Sequence, residues 1–240
     1  MTPCCTFINV FRVSSQCSHA TLGSAGDELY TDSRLNRYFD SLFDTILPLY
    51  LERRPQDFDI IDFDFAVPRN RITNRRVHAE FHDGLLRGLT AVNPPVRKVG
   101  NCSRADEGGN FTMGCTLAFG NLKATYEGFV DGESLFRRGR NISVVAELVH
   151  PEGYVEITFF QHDMPVMKSW RVPPLEMTLH YSRSLDLNSQ RRAKFELELK
   201  RNIGDAVKDV LKSPFREDLN SSIPTAMIYV INTEGPTFVK

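Results

Sequence analysis

The segment His78-Ala79-Glu80-Phe81-His82 contains the residue types from which proteins build metal sites. Alternate side chains of a β-strand point to one face, so His78, Glu80 and His82 would lie side by side. Two imidazoles and a carboxylate can bind zinc. The same alternation also describes the solvent face of a half-buried strand, and we expect that simpler role. The sequence therefore predicts no metal site.

Other motifs with catalytic chemistry are missing from the sequence. A zinc deaminase would need a Cys-x-x-Cys motif beside its His-x-Glu, and the chain has none. It has no Gly-x-Ser-x-Gly motif and no glycine-rich phosphate loop. A catalytic triad could still be assembled from scattered residues. We nevertheless expect a protein that is not an enzyme and that uses no cofactor.

The composition is that of an ordinary globular chain. It has 240 residues, of which 41% are hydrophobic and 25% charged, so it can bury a sizeable core. The net charge is −1, and no overall field attracts it to nucleic acid. No apolar run approaches the ~18 residues that would span a bilayer. We expect neither a nucleic-acid partner nor insertion into a membrane.

Sequons and cysteines point to secretion. The motif Asn-x-Ser/Thr occurs at Asn101, Asn110, Asn141 and Asn220, which are candidate N-glycosylation sites. Residues 1–26 contain three of the five cysteines, which leaves Cys102 and Cys115 as the pair in the folded body. A disulfide between them would close a short loop, which is worth about 3 kcal/mol in the chain-entropy model. We expect a disulfide-bonded, glycosylated, extracellular protein.

The N-terminal residues 1–26 are interpreted as a leader. They contain a short apolar patch followed by small residues, but no basic region, and Arg12 interrupts the patch. The segment is therefore either a degraded signal peptide or a disordered tail. We expect residues 27–240 to form a single domain.

Two segments carry the apolar spacing of amphipathic helices. In residues 189–212 an apolar stripe runs from Phe195 to Leu211, with charged residues between its members. Ser189 is the expected N-cap, and Ser213-Pro214 should end this helix. Residues 27–54 have a second stripe, in which Pro48 should kink or end the helix.

Between the two helices the apolar period changes from 3.6 to 2, which predicts strands. We expect one hairpin turning at Gly120-Asn121 and another at Pro151-Glu152-Gly153, with further strands near Trp170 and at residues 175–181 and 226–231. Without βαβ alternation the fold class is α+β. The sequence predicts a curved antiparallel β-sheet (meander) wrapped around the long C-terminal amphipathic helix, with a second, N-terminal helix.

Such a sheet buries its apolar face by coiling around the helix, and incomplete closure leaves an elongated apolar slot. Slots of this kind bind lipids or other apolar ligands. The candidate lining residues are apolar side chains that face inward: Phe63, Phe65, Phe81, Leu117, Phe119, Tyr126, Ile157 and Phe159 on the sheet, and Leu199, Ile203 and Val207 on the helix.

The order of these segments resembles a known family. A helix, "FDIIDFDFAVP", "FHDGLLRGL", "VRKVGNC", "TLAFGNLKATYEG" and a long C-terminal helix are similar to the arthropod branch of the tubular lipid-binding (TULIP) superfamily. Its nearest groups are the group 7 mite allergens and the takeout and juvenile-hormone-binding proteins. The resemblance implies secretion, no cofactor, and a lipid-like ligand between helix and sheet. Takeout-type relatives have a disulfide near the mature N-terminus, which has no counterpart here.

Two alternatives stay open at this point. One is a lipocalin-like carrier, although its N-terminal Gly-x-Trp is missing because Trp170 is the only tryptophan. The other is a secreted interaction or immune factor with a filled core and a protein partner. The presence or absence of an exchangeable apolar ligand distinguishes the second alternative from a carrier.

Overall fold

The computed structural model describes residues 32–69, 76–90, 96–132, 139–161 and 163–234. The N-terminal helical segment consists of α1 (Asp32–Asp40), a π-helical turn (Ser41–Ile46) and α2 (Leu47–Leu51). The expected leader lies outside the described residues. The division into a leader and one domain of residues 27–240 therefore stays a prediction.

Pro48 lies in α2, two residues after the end of the π-helical turn. Proline has no N–H to donate to the carbonyl four residues earlier. Just before it, the N–H of Leu47 donates to the carbonyl of Leu42, five residues back, which is the π-helical pattern. The helix continues past Pro48 and ends at Leu51, before Pro55.

Ten strands and two long helices follow. The strands are β1 Asp57–Ile60, β2 Phe63–Val67, β3 Val77–Arg87, β4 Val96–Glu107, β5 Asn110–Phe119, β6 Lys123–Asp131, β7 Arg140–Val149, β8 Glu152–Phe159, β9 Val166–Arg171 and β10 Glu176–Tyr181. The helices are α3 (Ser189–Lys212) and α4 (Pro214–Glu234). All strand pairs are antiparallel, in a six-stranded and a four-stranded sheet. The α+β class is confirmed.

The two sheets are halves of one curved meander. The arms β5–β6 and β7–β8 each pass from one sheet to the other, and their register is unbroken. Ala118 pairs with Glu152 before the bend. Lys123, five residues after Ala118, pairs with Glu147, five residues before Glu152, on the other side of the bend. The N–H of Phe119 donates to the carbonyl of Pro151 (2.9 Å) at the bend itself. Paired arms that bend together produce the predicted curvature.

The two predicted hairpin turns are wrong. Gly120-Asn121 and Pro151-Glu152-Gly153 lie at the bends, where each chain continues forward instead of reversing. A tight reversal occurs at Gly108-Gly109, where Glu107 faces Asn110 and both glycines have positive φ (59° and 89°). Apolar alternation continues across a bend on the same face, so the pattern resembled a hairpin.

Helix α3 has the predicted bounds and the predicted buried face. Its N-cap is Asn188 instead of Ser189, because the Asn188 Oδ1 accepts a hydrogen bond from the Arg191 N–H (3.0 Å). The helix packs against β1, β2 and β10. Its buried apolar residues are Phe195, Leu199, Ile203, Ala206, Val207, Val210 and Leu211.

The predicted strand at residues 226–231 is wrong, because these residues belong to α4. Ala226, Met227 and Val230 are buried, whereas Ile228 and Tyr229 are exposed, which is a helical spacing. The β-branched run favoured a strand in isolation, but α4 packs along α1, the π-helical turn, α2 and β9, and this burial overrides the local preference. Among the described helices, none is long and apolar enough to cross a bilayer.

Candidate ligand-binding site

The interface between α3 and the sheet contains a cluster of aromatic rings. The ring of Phe195, on the second turn of α3, lies 5.1 Å from Phe65 and 6.5 Å from Phe81. Phe63 lies 5.2 Å from Phe81 and 5.0 Å from Tyr126. Offset and edge-on contacts at these distances stabilise a core beyond the area that they bury. We call these five residues the aromatic cluster.

The structure places the other sequence candidates in different parts of the core. Phe159 stacks on Phe111 at 4.8 Å, and Phe119 lies 5.1 Å from Phe215, at the beginning of α4. Among the candidate lining residues, only Phe63 is partly buried. The others are buried: Phe65, Phe81, Leu117, Phe119, Tyr126, Ile157, Phe159, Leu199, Ile203 and Val207. Whether any of them contacts a ligand stays a prediction.

A pocket of about 320 Å³ opens beside the aromatic cluster, between β10 and the first turns of α3. Its lining combines apolar and charged groups: Tyr181, Arg183, Ser184, Leu185, Arg192, Phe195 and Glu196. Phe195 belongs both to this lining and to the aromatic cluster. The pocket, which we call the mouth, therefore borders the helix–sheet interface at Phe195.

Tyr181 is the one tyrosine in the lining of the mouth. Its hydroxyl is buried and has no hydrogen-bond partner among the described residues. Burial, followed by the nearby carboxylate of Glu196, raises its pKa, so the phenol stays neutral at physiological pH. A buried hydroxyl without a partner costs on the order of 1–3 kcal/mol. A polar ligand atom reaching this position would remove that cost.

Tyr126 behaves differently, although burial and then Asp62 also raise its pKa. Its hydroxyl donates a hydrogen bond to the carbonyl of Ile61 (3.0 Å). Its polar atom is therefore already satisfied by the chain. Tyr126 supplies the aromatic cluster with apolar surface only.

The His78 and His82 side chains are exposed on the outer face of β3. His78 Nε2 lies 3.0 Å from Glu80 Oε1, and His82 Nδ1 lies 2.7 Å from Asp83 Oδ2. Within the described ranges, no group of three or more His, Cys, Asp or Glu side chains is arranged to hold a metal ion.

Cys102 and Cys115 form the predicted disulfide, which joins β4 to β5 and closes a loop with a sequence separation of 13. Among the sequon asparagines, Asn101, Asn141 and Asn220 are exposed. Asn110 is half-buried, and the Thr112 of its sequon is buried, where its hydroxyl bonds the Thr158 hydroxyl (3.0 Å). Glycosylation itself stays a prediction.

The mouth residues Tyr181, Leu185 and Arg192 were not predicted from the sequence as site residues. A second cavity of about 750 Å³, which includes Trp170 and Lys212, was not predicted either. A weak signal for the second cavity was available, since a lone tryptophan is often kept for a specific contact. No local pattern indicated which loop would lie beside α3.

No protein family model matches the chain. Among curated proteins, it is 24% identical over 180 residues to the salivary anticoagulant protein P23 of Ixodes scapularis, covering 73% of this chain and 80% of that protein. Among solved structures, it is similar to the lipopolysaccharide binding protein, with a TM-score of 0.42 and 14% identity, covering 79% of this chain and 40% of that one. It is also similar to Takeout 1 of Epiphyas postvittana, with a TM-score of 0.35 and 14% identity, covering 78% of this chain and 87% of that one.

The chain thus spans less than half of the length of the lipopolysaccharide binding protein that it matches.

Proposed function

We propose that this protein is a secreted, non-enzymatic binding protein for lipids or other hydrophobic small molecules. The ligand lies between the curved sheet and α3, and it enters through the mouth. The observation that carries this proposal is the mouth itself, an opening between β10 and α3 whose lining residue Phe195 belongs to the aromatic cluster.

The composition of the mouth suits a ligand with an apolar chain and a polar end. Phe195 and Leu185 provide buried apolar contacts, while Arg183, Arg192 and Glu196 provide charge at the rim. Its volume of about 320 Å³ is at the lower end of ordinary ligand pockets. A longer apolar chain would therefore have to extend along the stripe of α3, displacing side chains of the aromatic cluster.

The proposal is tested by filling the mouth. Ser184 lines the mouth and is exposed, so Ser184→Trp places a large ring there without disturbing the core. Lys194→Trp is the matched control, because Lys194 is exposed on the neighbouring helix α3 and does not line the mouth. Each variant is expressed in a secretory eukaryotic host, and bound lipid is measured by native mass spectrometry and solvent extraction.

We expect the natural protein and Lys194→Trp to carry extractable lipid and to bind a dansylated fatty acid saturably. Ser184→Trp should lose at least tenfold in affinity, which corresponds to about 1.4 kcal/mol. Equal binding by all three proteins would place the ligand elsewhere. The lack of any exchangeable apolar ligand would contradict the carrier function.

A second candidate function is that of a salivary effector with a filled core, which acts through a protein partner. The observation that favours it is the similarity to the salivary anticoagulant protein P23. The lipid-stripped protein should then prolong the clotting time of plasma, and Ser184→Trp should have no effect on this activity. The lipocalin-like alternative is disfavoured, because a lipocalin is a closed barrel of eight strands, whereas the ten described strands form two open sheets.

A further inference from the structure

A groove of about 750 Å³ lies far from the mouth, at the other end of α3. It is lined by one end of the four-stranded sheet, including Trp170 and Arg171, by Val172 and Pro173, and by Lys212, the last residue of α3. Lys212 is 16 residues beyond Glu196 of the mouth, which places the two sites roughly 24 Å apart along the helix. We call this cavity the tryptophan groove.

The indole of Trp170 is held in one orientation. Its Nε1–H donates a hydrogen bond to the carbonyl of Leu211 (2.9 Å), in the last turn of α3. The ring meets Phe119 edge-on at 6.3 Å and Phe215 at 5.4 Å, and its far edge covers Gly153, where any Cβ would clash with it. A ring fixed on one side against the core is a preorganised apolar wall for a ligand on its other side.

The groove carries charged side chains of both signs. Two cationic side chains, Arg171 and Lys212, and one carboxylate, Glu152, line it. Arg171 is already partnered, since its guanidinium lies 5.2 Å above the Tyr154 ring and 3.2 Å from Glu156 Oε1. Among the described residues, no carboxylate lies within ion-pair distance of Lys212. Lys212 is therefore the cation that is available to a ligand.

We propose that the tryptophan groove is a second binding site, which takes a planar, largely apolar molecule with an anionic group. The planar body stacks on the indole of Trp170 and contacts Val172 and Pro173. The anionic group pairs with Lys212. A volume of this size suits a small organic molecule, and the site is independent of lipid binding at the mouth.

The chain provides its own reporter, because Trp170 is its only tryptophan. The natural protein is titrated with 4-biphenylacetate, the neutral 4-biphenylacetamide and the corresponding cationic amine, with tryptophan fluorescence excited where biphenyl does not absorb. We expect a saturable fluorescence change, with the anion binding at least tenfold more tightly than the amide and the amine binding most weakly. Added salt should weaken the binding of the anion.

Lys212→Gln removes the proposed partner charge from an exposed position and should reduce the affinity for the anion to that for the amide. Lys200→Gln is the matched control, since Lys200 is exposed on α3 and lies outside the groove. The proposal is overturned if no ligand gives a saturable change, if the amine binds as tightly as the anion, or if Lys212→Gln has no effect. Lipid retention in the same samples reports on the mouth separately, so failure of one site is distinguishable from failure of the other.

Discussion

Replacing Phe195 by alanine tests how α3 is joined to the sheet. The side chain is fully buried, and its ring contacts Phe65 and Phe81 across the helix–sheet interface. Removing a buried phenylalanine side chain costs about 3–5 kcal/mol through lost burial and the cavity that remains. For a chain of this size the melting temperature should fall by roughly 6–20 °C.

Leu197→Ala is the matched control on the same helix, because the Leu197 side chain is 66% exposed. Its free energy of unfolding should change by about 0.5 kcal/mol or less. Both variants are measured by urea unfolding followed by circular dichroism, with the denaturant slope compared between them.

The same substitution should affect binding in the opposite direction. Phe195 also lines the mouth, so the cavity left by Phe195→Ala would enlarge it. We expect the variant to bind a dansylated fatty acid at least as tightly as the natural protein, despite its lower stability. A cost below about 1 kcal/mol would refute the packing argument, because a residue with this burial could not then be part of the core. Weaker binding would contradict the expectation that the added volume outweighs the lost contact between the ligand and the Phe195 ring.

Two further predictions concern ion pairs, one with a buried carboxylate and one on the exposed surface. Asp218 is buried and accepts two hydrogen bonds from Arg54 (2.9 and 3.0 Å), so Asp218→Asn should lower the free energy of unfolding by about 1–3 kcal/mol. Glu217 is exposed, and its Oε2 lies 3.7 Å from Arg54 Nη2. Glu217→Gln should therefore have almost no effect in the same unfolding assay. The Lys123 ammonium holds the pKa of the exposed Glu147 below its ordinary value through a hydrogen bond of 2.7 Å. The stabilisation from this pair is thus present above the pKa of Glu147 in the unfolded chain and is lost as the pH falls through its lowered pKa in the folded protein. Lys123→Gln should raise the Glu147 pKa in an NMR titration. An unchanged Glu147 pKa would contradict the role assigned to Lys123.

Much of the fold was readable from local patterns. The stripe of α3 predicted its bounds and its buried face, because a period of 3.6 over 24 residues has no other stable interpretation in a globular chain. The alternation in β2 and β3 likewise predicted which side chains point inward. The disulfide followed from counting cysteines, since only one pair lay outside the N-terminal segment.

The errors share one physical cause. At Gly120-Asn121 the apolar residues stay on the same face whether the chain reverses or bends, so periodicity cannot distinguish a hairpin from a bend. At residues 226–231 a β-branched run is compatible with a strand until the burial of Met227 and Val230 is known. In both places the choice depends on which distant segment lies alongside.

The sequence by itself determined the α+β class, the amphipathic C-terminal helix, the inward faces of most strands and the cysteine pair, since each depends on spacing along the chain. Tertiary structure alone decided where the curved arms bend and how the aromatic residues separate into clusters. It also decided that Tyr181 and Phe195 line one pocket and that Trp170 donates a hydrogen bond to Leu211. These contacts join residues that are distant in sequence, and no local period encodes them.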